Sequence, residues 1–295
     1  MEFLLQLVIN GLVVGCIYSL MALGFVIIFK SSGILNFAQG EFLLLGAYVF
    51  LAIVTQGHVP AIPALLLTFA FATLLGLVLE RVILRPLIGE PIISVIMVTL
   101  GLSSILRAIV QGIWGTDTRP MQSVFSLDPI QIGPLPVARG YLYSAASVVV
   151  LLVLLTIFFK YSRPGIAMRA TADSQQVALS MGISVRRIFA LSWSIAAVVS
   201  AAGGVLLATM RGGVDGSLAI LGLKVLPVVI VGGLDSVGGA IVGGLLVGVL
   251  ENLAGGYLDP IFGGGVKEVA PFVALVLILM VRPYGLFGKI RIERV

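Results

Sequence analysis

Long apolar runs, rather than any single motif, constrain most strongly what this chain can fold into. A helix needs about 20 apolar residues to cross the roughly 30 Å hydrocarbon core of a bilayer. With 11% charged residues and a mean hydropathy of +1.18, the chain cannot cover such runs with a polar surface. We therefore predict an all-α, polytopic transmembrane helix bundle with about eight spans. The runs are 4–29, 42–54, 60–79, 92–112, 141–159, 188–208, 218–233 together with 237–253, and 267–281.

Glycine interrupts the apolar pattern most strongly between residues 212 and 265. Non-helical backbone at membrane depth is tolerated only where protein or a water-filled path covers it. We therefore expect broken or re-entrant helices in this region, within a single transmembrane domain that covers residues 1–295.

Small residues recur at intervals of four along two of the runs. This spacing places them on one face of a helix, where two backbones can approach closely. The pattern predicts tight helix packing, either within the subunit or across a dimer. The residues are Gly11, Gly15 and Ser19, then Gly239 and Gly243, and Gly244 and Gly248.

Basic residues concentrate in two polar segments. Residues 160–187 contain five basic residues and one acid, residues 282–295 contain four and one, and residues 113–140 contain two of each. Because basic loops stay in the cytoplasm, we expect the first two segments to be cytoplasmic and 113–140 to be external. The N-terminus then lies outside and the C-terminus in the cytoplasm. The net charge of +5 reflects these loops and not an affinity for nucleic acid.

The segment 30–48 places Asn36, Gln39 and Glu41 between two apolar runs. Polar side chains at membrane depth are costly and often line a pathway. Asn36 could instead cap a helix, and Glu41 in the first turn of the next helix would favour the positive end of its dipole. Capping and path lining are compatible, and both interpretations stay open.

The basic segment 160–187 has the pattern of a short helix over 166–181. A turn at Pro164 and Gly165 precedes it, and Gly182 ends it. Such a helix could lie on the bilayer surface or fit a groove on a cytosolic protein. Its small alanines and few bulky side chains argue against deep membrane burial, so we favour docking to a protein.

Charged side chains inside the apolar runs are few. Asp235, in the stretch 222–251, has paired glycines on both sides, which indicates a hinge between two half-helices. Asp235 could accept hydrogen bonds at a helix N-terminus or line a gate. Arg107, inside the run 92–112, is expected to snorkel to a membrane interface.

Several classes of function lack support in the sequence. No G-x-x-x-x-G-K-[ST] segment occurs, so we expect no nucleotide hydrolysis by this chain. His58 and Cys16 are the only histidine and the only cysteine, so we expect no catalytic residue, no metal site and no cofactor. No helix carries a series of buried acids, which makes a secondary active transporter the weaker alternative and a channel weaker still.

Four segments, in this order along the chain, resemble the permeases of branched-chain amino acid ABC importers. They are KSSGILNFAQGEFLLLGAY at 30–48, KYSRPGIAMRATADSQQVALSMGISVRR at 160–187, GLKVLPVVIVGGLDSVGGAIVGG at 222–244 and RPYGLFG at 282–288. The resemblance covers essentially the whole chain, and the length fits the shorter of the two paired permeases. It implies a non-enzymatic subunit of an ATP-driven importer in the bacterial inner membrane. Systems of this family carry branched-chain amino acids, and related ones carry urea, amides or aromatic acids.

The resemblance also implies partners and residue roles. The expected partners, besides the lipid bilayer, are a second homologous permease in a heterodimer, two cytosolic ATP-binding subunits and a periplasmic substrate-binding protein. The loop 160–187 is then the element that couples to the ATPase, although it lacks the Glu-Ala-Ala triplet of ABC importers. The candidate coupling residues are Arg163, Arg169, Asp173 and Gly182, and the candidate residues of the translocation path or gate are Asn36, Gln39, Glu41 and Asp235.

Overall fold

The computed structural model describes residues 2–88, 90–121, 129–132 and 135–288, and nearly all of them are helical. A π-helical turn at Glu80–Leu84 and a 3₁₀ turn at Arg85–Leu87 continue α3. The helices are α1 (Glu2–Ser32), α2 (Gln39–Thr55), α3 (Ala61–Leu79), α4 (Ile92–Trp114), α5 (Arg139–Tyr161), α6 (Arg163–Asp173), α7 (Gln175–Ser180), α8 (Val185–Arg211), α9 (Ser217–Gly232), α10 (Val237–Tyr257), α11 (Asp259–Phe262) and α12 (Val266–Val281).

The predicted class, an all-α polytopic membrane protein, is confirmed. Among the described helices, six are long and apolar enough to cross a membrane: α1, α3 with its two following turns, α4, α5, α8 and α10. Two further apolar helices, α2 and α9, are shorter. The count of about eight spans and the orientation of the termini remain predictions.

Four short strands accompany the helices. β1 (Arg119–Pro120) pairs antiparallel with β4 (Gly213–Val214), and β2 (Pro129–Ile132) pairs antiparallel with β3 (Leu135–Ala138). The β2–β3 hairpin lies inside the predicted external segment 113–140. Residues 122–128 and 133–134 of that segment, and residues 289–295 of the predicted cytoplasmic tail, lie outside the described residues.

One compact unit contains the described residues of 27–124 and 152–223. Its centre is α2, which packs against α3, α4 and α8, while α8 also packs along α3. Small residues allow these backbones to touch. Gly46 on α2 lies against Ala201, and a Cβ built on Gly76 of α3 would lie 2.7 Å from the Cα of Ser194. Consequently α2 is buried along most of its length.

The other compact unit contains the described residues of 1–26, 125–151 and 224–295. Here the first part of α1 packs against α10. A Cβ built on Gly15 would lie 2.8 Å from the carbonyl oxygen of Gly244, and the Ser19 hydroxyl donates a hydrogen bond of 2.9 Å to the carbonyl of Ile241. The prediction of tight packing at these small residues is confirmed, and the packing lies within the chain.

The stretch that was predicted to be a hinge between two half-helices is a helical hairpin. Gly232, the last residue of α9, lies against Gly239 of α10, and a Cβ built on Gly243 would lie 2.7 Å from the carbonyl oxygen of Val228. The paired positions run in opposite directions along the two helices, so the chain reverses between them. The predicted break in the helix near Asp235 is confirmed. The predicted hinge between two half-helices is wrong, because glycines on α9 and α10 let the two backbones pack side by side.

Candidate translocation and coupling site

The chain between α1 and α2 is non-helical over residues 33–38. In this segment the amide of Phe37 donates a hydrogen bond of 3.4 Å to Oγ1 of Thr99, which is buried in α4. Because α4 is long enough to span the membrane, the segment lies beside a spanning helix rather than beyond its end. Helix α2, 17 residues long, therefore begins beside α4. A break between helices thus occurs outside the region 212–265, where we expected broken or re-entrant helices.

Asn36 and Gln39 are buried and hydrogen-bonded to each other. The Asn36 Oδ1 accepts from the Ala38 amide at 3.0 Å, and its Nδ2 donates to the Gln39 Oε1 at 3.2 Å. The Gln39 Nε2 donates to the hydroxyl of Ser200 on α8 at 2.5 Å. Ala38 occupies the N-cap position of α2 and offers no side-chain cap. The capping role considered for Asn36 is therefore wrong: its side chain fixes the turn before the helix.

Glu41 is buried in the first turn of α2, where we predicted it to lie. Its Oε1 accepts three hydrogen bonds, from Nε of Arg107 at 3.1 Å, from Nη2 of Arg107 at 2.6 Å and from the Ser103 hydroxyl at 3.0 Å. Its Oε2 is buried and has no hydrogen-bond partner among the described residues. The expectation that Arg107 snorkels to an interface is wrong, because Arg107 forms an ion pair with this carboxylate.

A polar stripe on α4 faces the start of α2. Thr99, Ser103 and Arg107 lie four positions apart and therefore share one face of the helix. Sequence reasoning missed the contact because Arg107 and Glu41 are 66 positions apart. The spacing of polar residues on α4 is the signal that would have indicated a polar neighbour.

A second buried carboxylate lies in the same unit, at the end of α3. Glu80 opens the π-helical turn, and its two oxygens accept from different nitrogens of Arg85, from Nε at 3.2 Å and from Nη2 at 2.8 Å. Both oxygens of this carboxylate are therefore bonded. The two acid–arginine pairs have almost the same burial: the Arg107 and Glu41 side chains are 37% and 2% exposed, and those of Arg85 and Glu80 are 36% and 1% exposed.

The predicted helix 166–181 is instead two helices, α6 and α7, which meet at Ser174. The Ser174 hydroxyl caps α7 by accepting from the Val177 amide at 3.3 Å, so the chain restarts a helix there. The end of this segment is as predicted, since Gly182 follows α7 with a φ of 79°, a conformation that favours glycine.

The turn predicted at Pro164 and Gly165 is wrong, because both residues belong to the first turn of α6. The Ser162 hydroxyl caps this helix by accepting from the Gly165 amide at 3.0 Å. Proline fits the first turn of a helix because its missing N–H would have no partner there.

Arg163, Arg169, Asp173 and Gly182 are all exposed. The Nη2 of Arg169 donates a hydrogen bond of 3.2 Å to the carbonyl of Lys160, which ties α6 to the end of α5. Three apolar side chains on and just after α7 are also exposed: Val177, Leu179 and Met181.

Helix α7 contacts the end of α1. The Nε2 of Gln175 donates a hydrogen bond of 3.5 Å to the carbonyl of Ser31. Ser31 is the penultimate residue of α1. The non-helical segment that follows α1 carries Asn36 and leads to Gln39 and Glu41. Within this unit, the candidate coupling segment therefore contacts the end of the helix that leads into the three candidate path residues.

Asp235 lies in the other unit, in the turn between α9 and α10, and is half-buried. Ser236 occupies the N-cap of α10 and accepts from the Gly239 amide at 3.0 Å. The tail after α12 packs on the same turn, where the amide of Leu286 donates to the carbonyl of Val231 at 2.8 Å.

No cluster of three or more histidine, cysteine or acidic side chains that could hold a metal ion occurs among the residues described.

Comparisons with known proteins agree with this architecture. The family described as the permease component of branched-chain amino acid transport systems matches residues 7–282. The high-affinity branched-chain amino acid transport system permease protein LivH of Escherichia coli is 30% identical, over 99% of this chain and 98% of its own length. The corresponding protein BraD of Pseudomonas aeruginosa is 31% identical, again over 99% of this chain and 98% of its own length.

A solved structure shares the fold. It is that of PsaBC from Streptococcus pneumoniae in complex with Fab, with a TM-score of 0.52 and 16% identity over 95% of this chain and 91% of that chain. The fold and these relatives define a multi-pass membrane permease. The chain belongs to the family of permease components of branched-chain amino acid transport systems.

Proposed function

We propose that this chain is one membrane-spanning permease subunit of an ATP-driven importer in the bacterial inner membrane. Its solutes would be branched-chain amino acids or related small polar molecules. The names of LivH and BraD support this substrate class, since both name a branched-chain amino acid transport system. In this proposal residues 1–295 form a single transmembrane domain.

The observation that carries the proposal is the hydrogen bond between Gln175 and the Ser31 carbonyl. It joins an exposed helix pair, suited to contact another protein, to the end of the helix that leads into buried polar groups. An importer whose ATPase lies on separate subunits needs such a connection, because movement at the ATPase must change the membrane-embedded part.

The mechanism follows from this connection. ATP-binding subunits would contact the exposed apolar side chains of α7, and Arg163, Arg169, Asp173 and Gly182 would lie at the same surface. Displacement of α7 would move the end of α1 and the segment 33–38. The groups along the translocation path, Asn36, Gln39 and Glu41, would then rearrange, and Asp235 would act as a gate residue in the other unit. The permease itself forms and breaks no covalent bond, and the separate subunits hydrolyse ATP.

The proposed assembly places the partners on opposite faces. The two ATP-binding subunits would bind the cytoplasmic face, which carries the loop 160–187, and the substrate-binding protein would bind the external face, which carries 113–140. The β1–β4 pairing supports a common side for the loops after α4 and α8, as the charge-based orientation requires. A second, homologous permease would complete a heterodimer.

The experiment that tests this function is purification of the tagged chain from native membranes, with mass spectrometry of what accompanies it. We expect a second permease and ATP-binding subunits. Val177→Ser should reduce recovery of the ATP-binding subunits, because Val177 is 61% exposed on α7. Val82→Ser is the matched control, since Val82 is 66% exposed but lies outside α6 and α7.

Two other results would contradict the proposal, in whole or in part. If the chain were purified alone and still moved solute in liposomes, the secondary active transporter would replace the importer. If partners were recovered equally well with both valine variants, the importer would stand but α7 would not be its coupling element.

A further inference from the structure

We infer that the Glu41–Arg107 pair is a binding point for the charged end of the transported amino acid. Oε2 of Glu41 would accept a hydrogen bond from the α-ammonium group, and Nη1 of Arg107 would donate one to the α-carboxylate. This inference rests on the proposed function and identifies where the permease recognises its solute.

The free oxygen of Glu41 is the first observation. Arg107 and Ser103 place all three of their hydrogen bonds on Oε1, which leaves Oε2 buried and without a partner among the described residues. A buried carboxylate oxygen without a donor is unfavourable, and native proteins pair nearly all such atoms. Glu80 is the internal contrast, because Arg85 bonds to both of its oxygens. The pairing at Glu41 therefore leaves one buried acceptor without a donor among the described residues.

Arg107 supplies the second observation, because it has unused donor capacity at membrane depth. Its Nε and Nη2 bond to Glu41, whereas Nη1 makes no hydrogen bond to any residue that the structure describes. Arg107 lies seven residues before the end of α4, or about 10 Å along the helix. A guanidinium at this depth is costly if its exposed part faces lipid. The Arg107 side chain is 37% exposed, so in the proposed site this exposed part would face the translocation path.

The start of α2 adds a favourable field. Because the helix begins at Gln39 with no side-chain cap, the partial positive charge of its N-terminus acts on Glu41 in the first turn. A hydrogen bond between a carboxylate and an ammonium group is charge-assisted and therefore strong. The amides of Asn36 and Gln39 and the hydroxyl of Ser200 form a second polar cluster at the start of α2, between α2 and α8.

An α-amino acid fits this pair because it carries one charge of each sign on neighbouring atoms. When such a solute enters, Oε2 of Glu41 would accept from its ammonium group and Nη1 of Arg107 would donate to its carboxylate, while the ion pair through Oε1 stays in place. Each charge of the solute then meets an opposite charge, which offsets the penalty of placing an ion in the protein interior.

The test uses the complete importer, with its ATP-binding subunits, second permease and binding protein, in proteoliposomes. The measured quantity is the number of leucine molecules taken up per ATP hydrolysed. In Glu41→Gln this ratio should fall at least about tenfold, the effect of losing one hydrogen bond to a charged group. Glu80→Gln is the matched control, and its ratio should be unchanged.

A neutral double variant, Glu41→Gln with Arg107→Gln, separates recognition from a structural role. If the pair only stabilises the fold, removing both charges should restore the leucine-to-ATP ratio, and the inference would be overturned. If the pair binds the solute, the ratio should stay low in the assembled double variant. Failure of the wild-type importer to take up leucine would instead refute the proposed function, and the inference would fall with it.

Discussion

Two acid–arginine pairs among the described residues have a buried carboxylate, but they differ in how the arginine bonds to it. They share a unit, a pair of residue types and nearly the same burial, yet Arg85 uses two nitrogens to reach both oxygens of Glu80, whereas Arg107 directs two nitrogens to one oxygen of Glu41. Glu80 and Arg85 lie five positions apart, in adjoining π and 3₁₀ turns. Glu41 and Arg107 come from different helices. The comparison separates a pair that closes a local turn from one that bridges two helices and keeps an acceptor free.

The largest expected effect is that of Arg107→Leu. The Glu41 carboxylate would keep only the Ser103 hydroxyl, and a buried ion without its counter-ion destabilises a protein by about 3–5 kcal/mol. Thermal unfolding in detergent should show a large fall in the midpoint. The double variant Arg107→Leu with Glu41→Leu should recover most of the loss, because no charge is left buried. A single variant as stable as the wild type would contradict the role of the ion pair.

A smaller effect is expected for Arg85→Leu. Glu80 would lose both of its hydrogen bonds, but the lost contacts lie within two adjoining turns, so no contact between helices is broken. We expect a loss of about 2 kcal/mol, the range for one unsatisfied buried group. The same unfolding measurement checks it. An effect as large as that of Arg107→Leu would mean that the two pairs are energetically equivalent.

Ser103→Ala tests how much the serine hydroxyl contributes to the Glu41–Arg107 pair. The variant removes one hydrogen bond to Oε1 and should cost about 1 kcal/mol. Ser104→Ala is the matched control, because the Ser104 hydroxyl is exposed and bonds to the Leu100 carbonyl of its own helix. Equal midpoints for the two serine variants would show that Ser103 contributes nothing to the pair.

The smallest effect is expected for an acid outside the membrane, Asp215, in the loop between α8 and α9. Hydrogen bonds from Ser217, and then from Thr118, lower the pKa of its carboxyl. A lowered pKa stabilises the fold above the ordinary carboxyl pKa, and this contribution disappears as the pH falls through the folded value.

Asp215→Asn should therefore change stability by less than about 0.5 kcal/mol at neutral pH, as for exposed charges in general. Unfolding midpoints measured between neutral and acidic pH should converge for wild type and variant at the acidic end. Midpoints that separate further as the pH falls would contradict the sign of this effect.

Features that depend on local periodicity could be predicted from the sequence. Gly11, Gly15 and Ser19 repeat every four residues, and so do Gly244 and Gly248; both sets pack where backbones approach closely. The position of Glu41 in a first helical turn and the end of the coupling segment at Gly182 follow from equally local rules.

Features that depend on partners elsewhere in the chain could not be predicted in the same way. The sequence around Arg107 is the same whether its side chain snorkels to an interface or pairs with an acid. Only the packing of α4 against α2 determines that it pairs with Glu41. Ser174 was missed for a different reason: serine is tolerated inside a helix, and its role as a cap appears only where the chain changes direction. The reversal between Gly232 and Gly239 likewise depends on which surface the glycines meet.

The packing of the tail on the α9–α10 turn has a consequence for biosynthesis. The amides of Leu286 and Phe287 complete the bonding of the Val231 and Gly232 carbonyls, yet they are translated more than fifty residues later. During translation the α9–α10 hairpin is therefore made before these two carbonyls can accept their hydrogen bonds from the tail. The tail can bond to the turn only after α12 has left the ribosome. The turn therefore reaches its final hydrogen bonding only after the segment that follows α12 has been synthesised.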